Sequence, residues 1–129
     1  MKLDKKAMIL YAVTDRKWTG RQSLAKQVES ALKGGATCVQ LREKNLDYEG
    51  FLAEAVEINK LCKKYKVPFI VNDNVEIAIK SGADGVHVGQ DDMQAGDVRK
   101  KIGDDMILGV SAHNVNEALT AEKSRDAAK

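Results

Sequence analysis

The chain has little of what marks several function classes. Among its 129 residues there are two cysteines, one proline, one tryptophan and only 5% aromatics. Trp18, Tyr11, Tyr48 and Tyr65 fall on no common stripe, so there is no surface on which nucleic-acid bases could stack. Cys38 and Cys62 lack metal-ligand spacing and paired neighbours. Both sit in apolar periodic segments and read as reduced core residues, which suits a cytoplasmic protein. Neither sign of charge dominates: 21 Lys and Arg oppose 19 Asp and Glu, a net +2. That balance argues against a nucleic-acid coat or a membrane-surface binder, so any basic site must come from local placement. No apolar run approaches the roughly 18–20 residues needed to cross a bilayer. The basic opening before Ala7–Val13 imitates a signal peptide, but Thr14-Asp15-Arg16 follows where a small-residue cleavage site would stand. There is also no nucleophile elbow, no P-loop and no GxGxxG.

What is present is a regular alternation. At 43% hydrophobic and 31% charged, the chain can build the core of one compact domain. Met8–Val13, Thr37–Leu41, Val67–Val71, Gly85–Val88 and Met106–Val110 are short apolar runs that predict strands. Pro68 stands at the entry of the third, where a missing N–H does least harm. Between them, apolar residues recur at helical spacing: Leu24, Val28 and Leu32; then Phe51, Ala55, Ile58 and Cys62; then Val75, Ala78 and Ile79; then Ala95, Val98 and Ile102. Gly34-Gly35 and Ser81-Gly82 are helix stops, Asp47 is a cap, and Asn114 with Glu117 has capping-box spacing before a last helix. This is five β-α units, hence an α/β fold on a parallel sheet. Gly34–Leu41 and Ser81–Val88 form a faint repeat in which a helix end runs into a strand. The units average about 25 residues, whereas an eight-unit barrel takes roughly 200 to 250. The pattern therefore fits a partial barrel or a complete doubly wound sheet.

In parallel α/β folds ligands bind at the carboxyl ends of strands, and here every strand exit is polar. Gln40, Arg42 and Lys44 share one side of an extended segment; two cations and an amide suit a diphosphate, or else a solvated strand end. Asp73 and Asp92 close different strands and could converge on a magnesium ion, although Asp73 with Glu76 also has helix-capping spacing and Asp91-Asp92 could be turn acids. Ser111 follows the fifth strand near a helix start, where anions are favoured or where a serine simply caps. His87, inside a strand, reads as a hydrogen-bonded interior residue; His113 has no acid partner visible in the sequence.

Taken together, Gln40-Leu41-Arg42-Glu43-Lys44, Val71-Asn72-Asp73, Gly85-Val86-His87-Val88-Gly89-Gln90-Asp91-Asp92 and Leu108-Gly109-Val110-Ser111-Ala112-His113 resemble the thiamine-phosphate synthase family. The resemblance runs in order from about Ile9 to Glu122. It implies a TIM (β/α)8-barrel fold, present here as a single partial barrel over 1–129. It implies a transferase of thiamine biosynthesis that joins hydroxymethylpyrimidine diphosphate to thiazole phosphate and releases pyrophosphate. By the same resemblance, Gln40, Arg42, Lys44, Asn72 and Ser111 bind the pyrimidine diphosphate, with Arg42, Lys44 and Ser111 catalytic, while Asp73 and Asp92 bind Mg2+. The implied chemistry is a carbocation-like substitution at the pyrimidine methylene with no protein nucleophile. Units six to eight, which in the family hold the thiazole phosphate, do not follow. Ser124–Lys129 departs from the family pattern, as in a truncated, frameshifted or engineered product with reduced or no activity. A part-barrel with two open edges is expected to form a homo-oligomer. The alternatives are a non-catalytic, self-associating fragment and a related thiazole phosphate isomerase. Retention of Asp73 and Asp92 speaks against the isomerase.

Overall fold

The computed structural model describes residues 5–15, 23–44, 46–89, 95–112 and 114–120. The strands are β1 (Tyr11–Val13), β2 (Cys38–Leu41), β3 (Phe69–Asn72), β4 (Gly85–Val88) and β5 (Ile107–Val110). Between them lie α1 (Leu24–Lys33), α2 (Tyr48–Lys64), α3 (Val75–Ser81) and α4 (Ala95–Ile102), and residues 115–120 are helical. Each strand pairs in parallel with the next, in the spatial order β1-β2-β3-β4-β5. A doubly wound sheet reverses direction at a switch point; this one never does. All four helices pack with the same strand residues into one core, so they cover one face only. Sequential order with one-sided helices is the architecture of a partial TIM barrel, which settles the choice left open by the pattern.

Four of the five strands differ in their bounds from the sequence reading, the second only in starting at Cys38 and not at Thr37. The expected strand over Met8–Val13 begins only at Tyr11, because Lys5–Met8 closes into a single 3-10 turn. Thr37 holds that turn: its Oγ1 donates to the Ala7 carbonyl at 2.8 Å and accepts from the Leu10 N–H at 2.9 Å. The third strand starts at Phe69 and not at Val67, and it runs on through Asn72. The fifth starts at Ile107 and not at Met106. The caps fall where expected at Asp47, which accepts from the Gly50 N–H at 2.8 Å, and at Asn114, which accepts from the Glu117 N–H at 2.8 Å.

The faint repeat has a physical basis. In each copy a glycine with positive φ, Gly35 at 106° or Gly82 at 75°, turns the chain out of its helix. Thr37 then donates its N–H to Leu10 at 2.8 Å, and Asp84 donates its N–H to Phe69 at 2.8 Å. The two side chains return the favour: Thr37 Oγ1 accepts from Leu10 N–H, and the Asp84 carboxylate accepts from Phe69 N–H at 2.8 Å. Each unit thus latches onto the strand before it.

Alternation along the strands divides the sheet. Val39, Leu41, Phe69, Val71, Val86, Val88 and Leu108 face the helices. Cys38, Ile70 and Ile107, with Tyr11 against them, form a small separate cluster on the opposite, inner face. Further along β2, β3 and β4 that inner face becomes polar, with Gln40, Asn72 and His87.

Candidate functional site at the carboxyl rim

The exits of all five strands are tied together. Thr14, just after β1, donates its N–H to the Gln40 carbonyl at 3.0 Å, and its Oγ1 accepts from the Arg42 N–H at 3.0 Å. Lys44 Nζ lies 2.6 Å from Asp73 Oδ2, linking the exits of β2 and β3. The Asp73 N–H donates to the His87 carbonyl at 2.7 Å, and the Ser111 N–H donates to Val88 at 2.9 Å. Thr14 was not among the residues singled out from sequence. A threonine leaving a strand is the only signal it carries.

Below the rim, a row of side-chain amides crosses the inner face. The Gln40 amide contacts the Tyr11 hydroxyl at 2.9 Å and the Asn72 amide at 2.9 Å. Gln40 and Asn72 are both buried. The other end of the Asn72 amide lies 3.0 Å from Asp73 Oδ2, and a carboxylate accepts only, so that end is the NH2. The Asn72 oxygen then faces Gln40, which requires Gln40 to present its NH2 to Asn72 and its oxygen to the Tyr11 O–H. The donors run one way, from Tyr11 through Gln40 and Asn72 to Asp73. Tyr11, half-buried, has its phenol pushed up from its usual value chiefly by burial. It too escaped the sequence reading, because only the fold brings β1 beside Gln40.

Asp73 is a correction. The capping alternative is overturned: the N-cap of α3 is Asn74, whose side chain accepts from the Ile77 N–H at 3.0 Å. Asp73 sits one residue earlier at φ 68°, a left-handed backbone that is costly for most side chains and that Asp and Asn tolerate best. There its carboxylate turns to Lys44 and Asn72 instead of serving the helix. Lys44 and Asp73 are 50% and 35% exposed, so the pair is open to a ligand and worth little to stability.

On the far side, His87 Nε2 lies 2.8 Å from Ser111 Oγ, so His87 is a hydrogen-bonded inner-face residue. Burial pushes its imidazole below the usual value, with Asp73 pulling the other way. The Arg42 side chain is exposed at the rim. The structure therefore brings Gln40, Arg42, Lys44, Asn72, Asp73 and Ser111 onto one rim, at the ends of β2, β3 and β5. Asp92 and His113 lie outside the described residues, as does Trp18. Among the described residues there is no cluster of three or more His, Cys, Asp or Glu that could hold a metal by itself. Asp73 offers a hard oxygen at a polar, accessible rim, which fits Mg2+, a cation that takes one or two carboxylates and fills its shell with water and phosphate. Cys38 and Cys62 are free and buried, as expected. Among the described residues no helix is long and apolar enough to cross a membrane.

Comparison with known proteins agrees with the fold. The family described as thiamine monophosphate synthase matches residues 10–127. The thiamine-phosphate synthase of Clostridium novyi is 50% identical over 115 residues, covering 89% of this chain and 56% of the relative. The thiamine biosynthetic bifunctional enzyme of Saccharomyces cerevisiae is 49% identical over 115 residues, covering 88% of this chain and 21% of that protein. The solved structure of thiamine phosphate pyrophosphorylase from Pyrococcus furiosus superposes with a TM-score of 0.83 at 34% identity, over 92% of this chain and 56% of that one. The chain spans about half the length of the bacterial synthases it matches, 56% and 54% for two of them. This chain belongs to the thiamine monophosphate synthase family.

Proposed function

We propose that the rim is the pyrimidine-diphosphate half of a thiamine-phosphate synthase site, in a transferase that joins hydroxymethylpyrimidine diphosphate to thiazole phosphate and releases pyrophosphate. The observation that carries this reading is the junction of the buried Gln40–Asn72 amide row with the exposed Lys44–Asp73 pair. Fixed amides suit the edge of an aminopyrimidine, which offers ring nitrogens as acceptors and an amino group as donor. Cations beside them suit the attached diphosphate: Arg42 by forked hydrogen bonds, Lys44 as a point charge. The relatives are named synthases, which favours this over the isomerase alternative.

The chemistry asks the protein for placement and charge. The bond from the pyrimidine methylene carbon to diphosphate oxygen breaks, its electron pair leaves with pyrophosphate, and the thiazole nitrogen supplies the pair for the new bond. In this reading Arg42, Lys44 and Ser111 stabilise the charge that gathers on the departing oxygens. Gln40 and Asn72, held in line by Tyr11 and Asp73, orient the ring so that the methylene faces the incoming nitrogen. A Mg2+ ion held by Asp73 and Asp92 would add charge neutralisation on the diphosphate. Buried reduced thiols fit a cytoplasmic setting.

The test is calorimetric titration of the 129-residue chain with hydroxymethylpyrimidine diphosphate and Mg2+, beside an assay of thiamine phosphate formation with both substrates. Binding that needs Mg2+ and is lost in Asp73→Ala supports the half-site, and turnover supports the whole reaction. Binding without turnover identifies the non-catalytic alternative, and absence of binding sinks the reading. Self-association is part of the proposal: Ile9 (76% exposed) precedes β1, Val13 (51%) ends it, and Val115 (74%) and Leu119 (51%) follow β5. Such apolar surface calls for cover by a second copy. A monodisperse monomer in sedimentation at micromolar concentration would count against it.

A further inference from the structure

We propose that His87 and Gly109 form a positioning device for Ser111, with His87 donating from Nε2 to Ser111 Oγ so that the hydroxyl serves a bound anion as donor. This deepens the diphosphate reading of Ser111 given above and rests on it.

The argument begins with register. His87 on β4 lies directly beside Gly109 on β5, two residues before Ser111. Both His87 and Ser111 project onto the inner face, and the imidazole reaches diagonally along β5 to bring Nε2 within 2.8 Å of Oγ. That path crosses the place where a side chain at position 109 would stand. A Cβ on Gly109 would lie 2.5 Å from His87 Nδ1 and 3.3 Å from Cγ, too close for both to remain. Glycine is therefore required here by the ring and not by the backbone, since Gly109 has no positive φ. Meanwhile the Ser111 N–H is fixed to the Val88 carbonyl at 2.9 Å, so its Cβ is already placed.

A serine hydroxyl with a fixed backbone still has three staggered positions for its oxygen. The hydrogen bond from a half-buried ring selects one of them before any ligand arrives, which lowers the ordering cost of binding. The direction of that bond decides what the serine can do next. With the proton on Nε2 the ring is donor and Oγ acceptor, and the serine's own proton serves an anion. With the proton on Nδ1 the ring would instead accept the serine's proton and compete with the anion for it. His87 is thus a positioning residue that acts through Ser111.

Two measurements test this on the 129-residue chain. The first is the nitrogen spectrum of the His87 ring, identified by comparison with His113→Gln. An Nε2–H ring whose signals shift in Ser111→Ala supports the pair, and an Nδ1–H ring overturns it. The second is the affinity for inorganic pyrophosphate with Mg2+. Ser111→Ala and His87→Leu should each weaken binding about ten-fold, and the double variant should be no weaker than Ser111→Ala alone. His87→Gln, whose amide can replace the Nε2 donor, should restore most of the loss, and Gly109→Ala should behave like His87→Leu. Losses that multiply in the double variant, or a His87→Leu chain that binds like the parent, overturn the device. If the parent takes no pyrophosphate while its ring stays Nε2–H and senses Ser111, the pair is upheld and the diphosphate reading falls.

Discussion

Val39, Leu41, Phe69, Val71 and Val86 turn toward the helices and are fully buried, whereas Gln40, Asn72 and His87, neighbours or near neighbours in sequence, turn the other way and bond to one another or to Asp73 and Ser111. One residue of offset along a strand separates a face that holds the fold from a face that carries chemistry. The helix-covered face is large, continuous and apolar, uniting residues of all four helices. Among the described residues the inner face has Cys38, Ile70 and Ile107 at its base, with Tyr11 against them, and the polar Gln40, Asn72 and His87 above. Stability and binding are thereby assigned to different side chains of the same strands, and substitutions should separate them.

The largest effect is expected on the covered face. Phe69→Ala removes a fully buried ring from the helix-covered face of β3 and should cost about 3–5 kcal/mol of unfolding free energy, read by denaturant titration. A loss below about 1 kcal/mol would mean that this face does not carry the fold. Next comes the base of the inner face. A methyl added in Gly85→Ala would meet the Ile107 backbone oxygen and Cβ at 2.6 Å, and overpacking of this kind costs about 1–3 kcal/mol. If the melting temperature does not fall, the inner cluster is looser than the covered one. At the rim, Asp73→Asn should change stability by less than about 1 kcal/mol, because the Lys44 pair is exposed and asparagine tolerates the left-handed backbone. The same variant should bind Mg2+ and pyrophosphate at least about ten-fold more weakly. Equal losses in both measurements would erase the division between the faces.

The smallest effect concerns the cysteines, one on each side of the sheet. Burial pushes the Cys38 thiol up to about 11 and the Cys62 thiol up to about 12, with the Asp84 charge a secondary cause for both. Since the thiolate is the reactive form, both should resist iodoacetamide at neutral pH in the folded chain and gain reactivity as pH rises toward those values. Mass spectrometry of the labelled peptides ranks them. Cys38 labelling well before Cys62 would show that the inner face opens to solvent more readily than the covered one.

Periodicity in the sequence located every helix core and the register of alternation, because a 3.6-residue stripe and a two-residue alternation are properties of the local chain. Leu24, Val28 and Leu32, or Val39 and Leu41 about Gln40, are legible without any partner. The caps at Asp47 and Asn114 are local as well, each a bond across three residues. Asp73 was ambiguous for the same reason: its spacing to Glu76 suits a cap, and nothing local shows that Asn74 takes that role. Motif order and the polar strand exits identified the family and the candidate rim.

What the sequence by itself determined was the alternating β-α order, the apolar stripes and the kinds of side chain at each strand exit. Only the tertiary structure decided that the strands run in the order β1-β2-β3-β4-β5 with helices on one face, since strand order depends on contacts between residues about 15 to 30 apart in the chain. It alone set Lys44 against Asp73, Tyr11 against Gln40 and His87 across Gly109 to Ser111. Each of those contacts joins two strands through space, and a linear pattern records which groups leave a strand but not which ones meet.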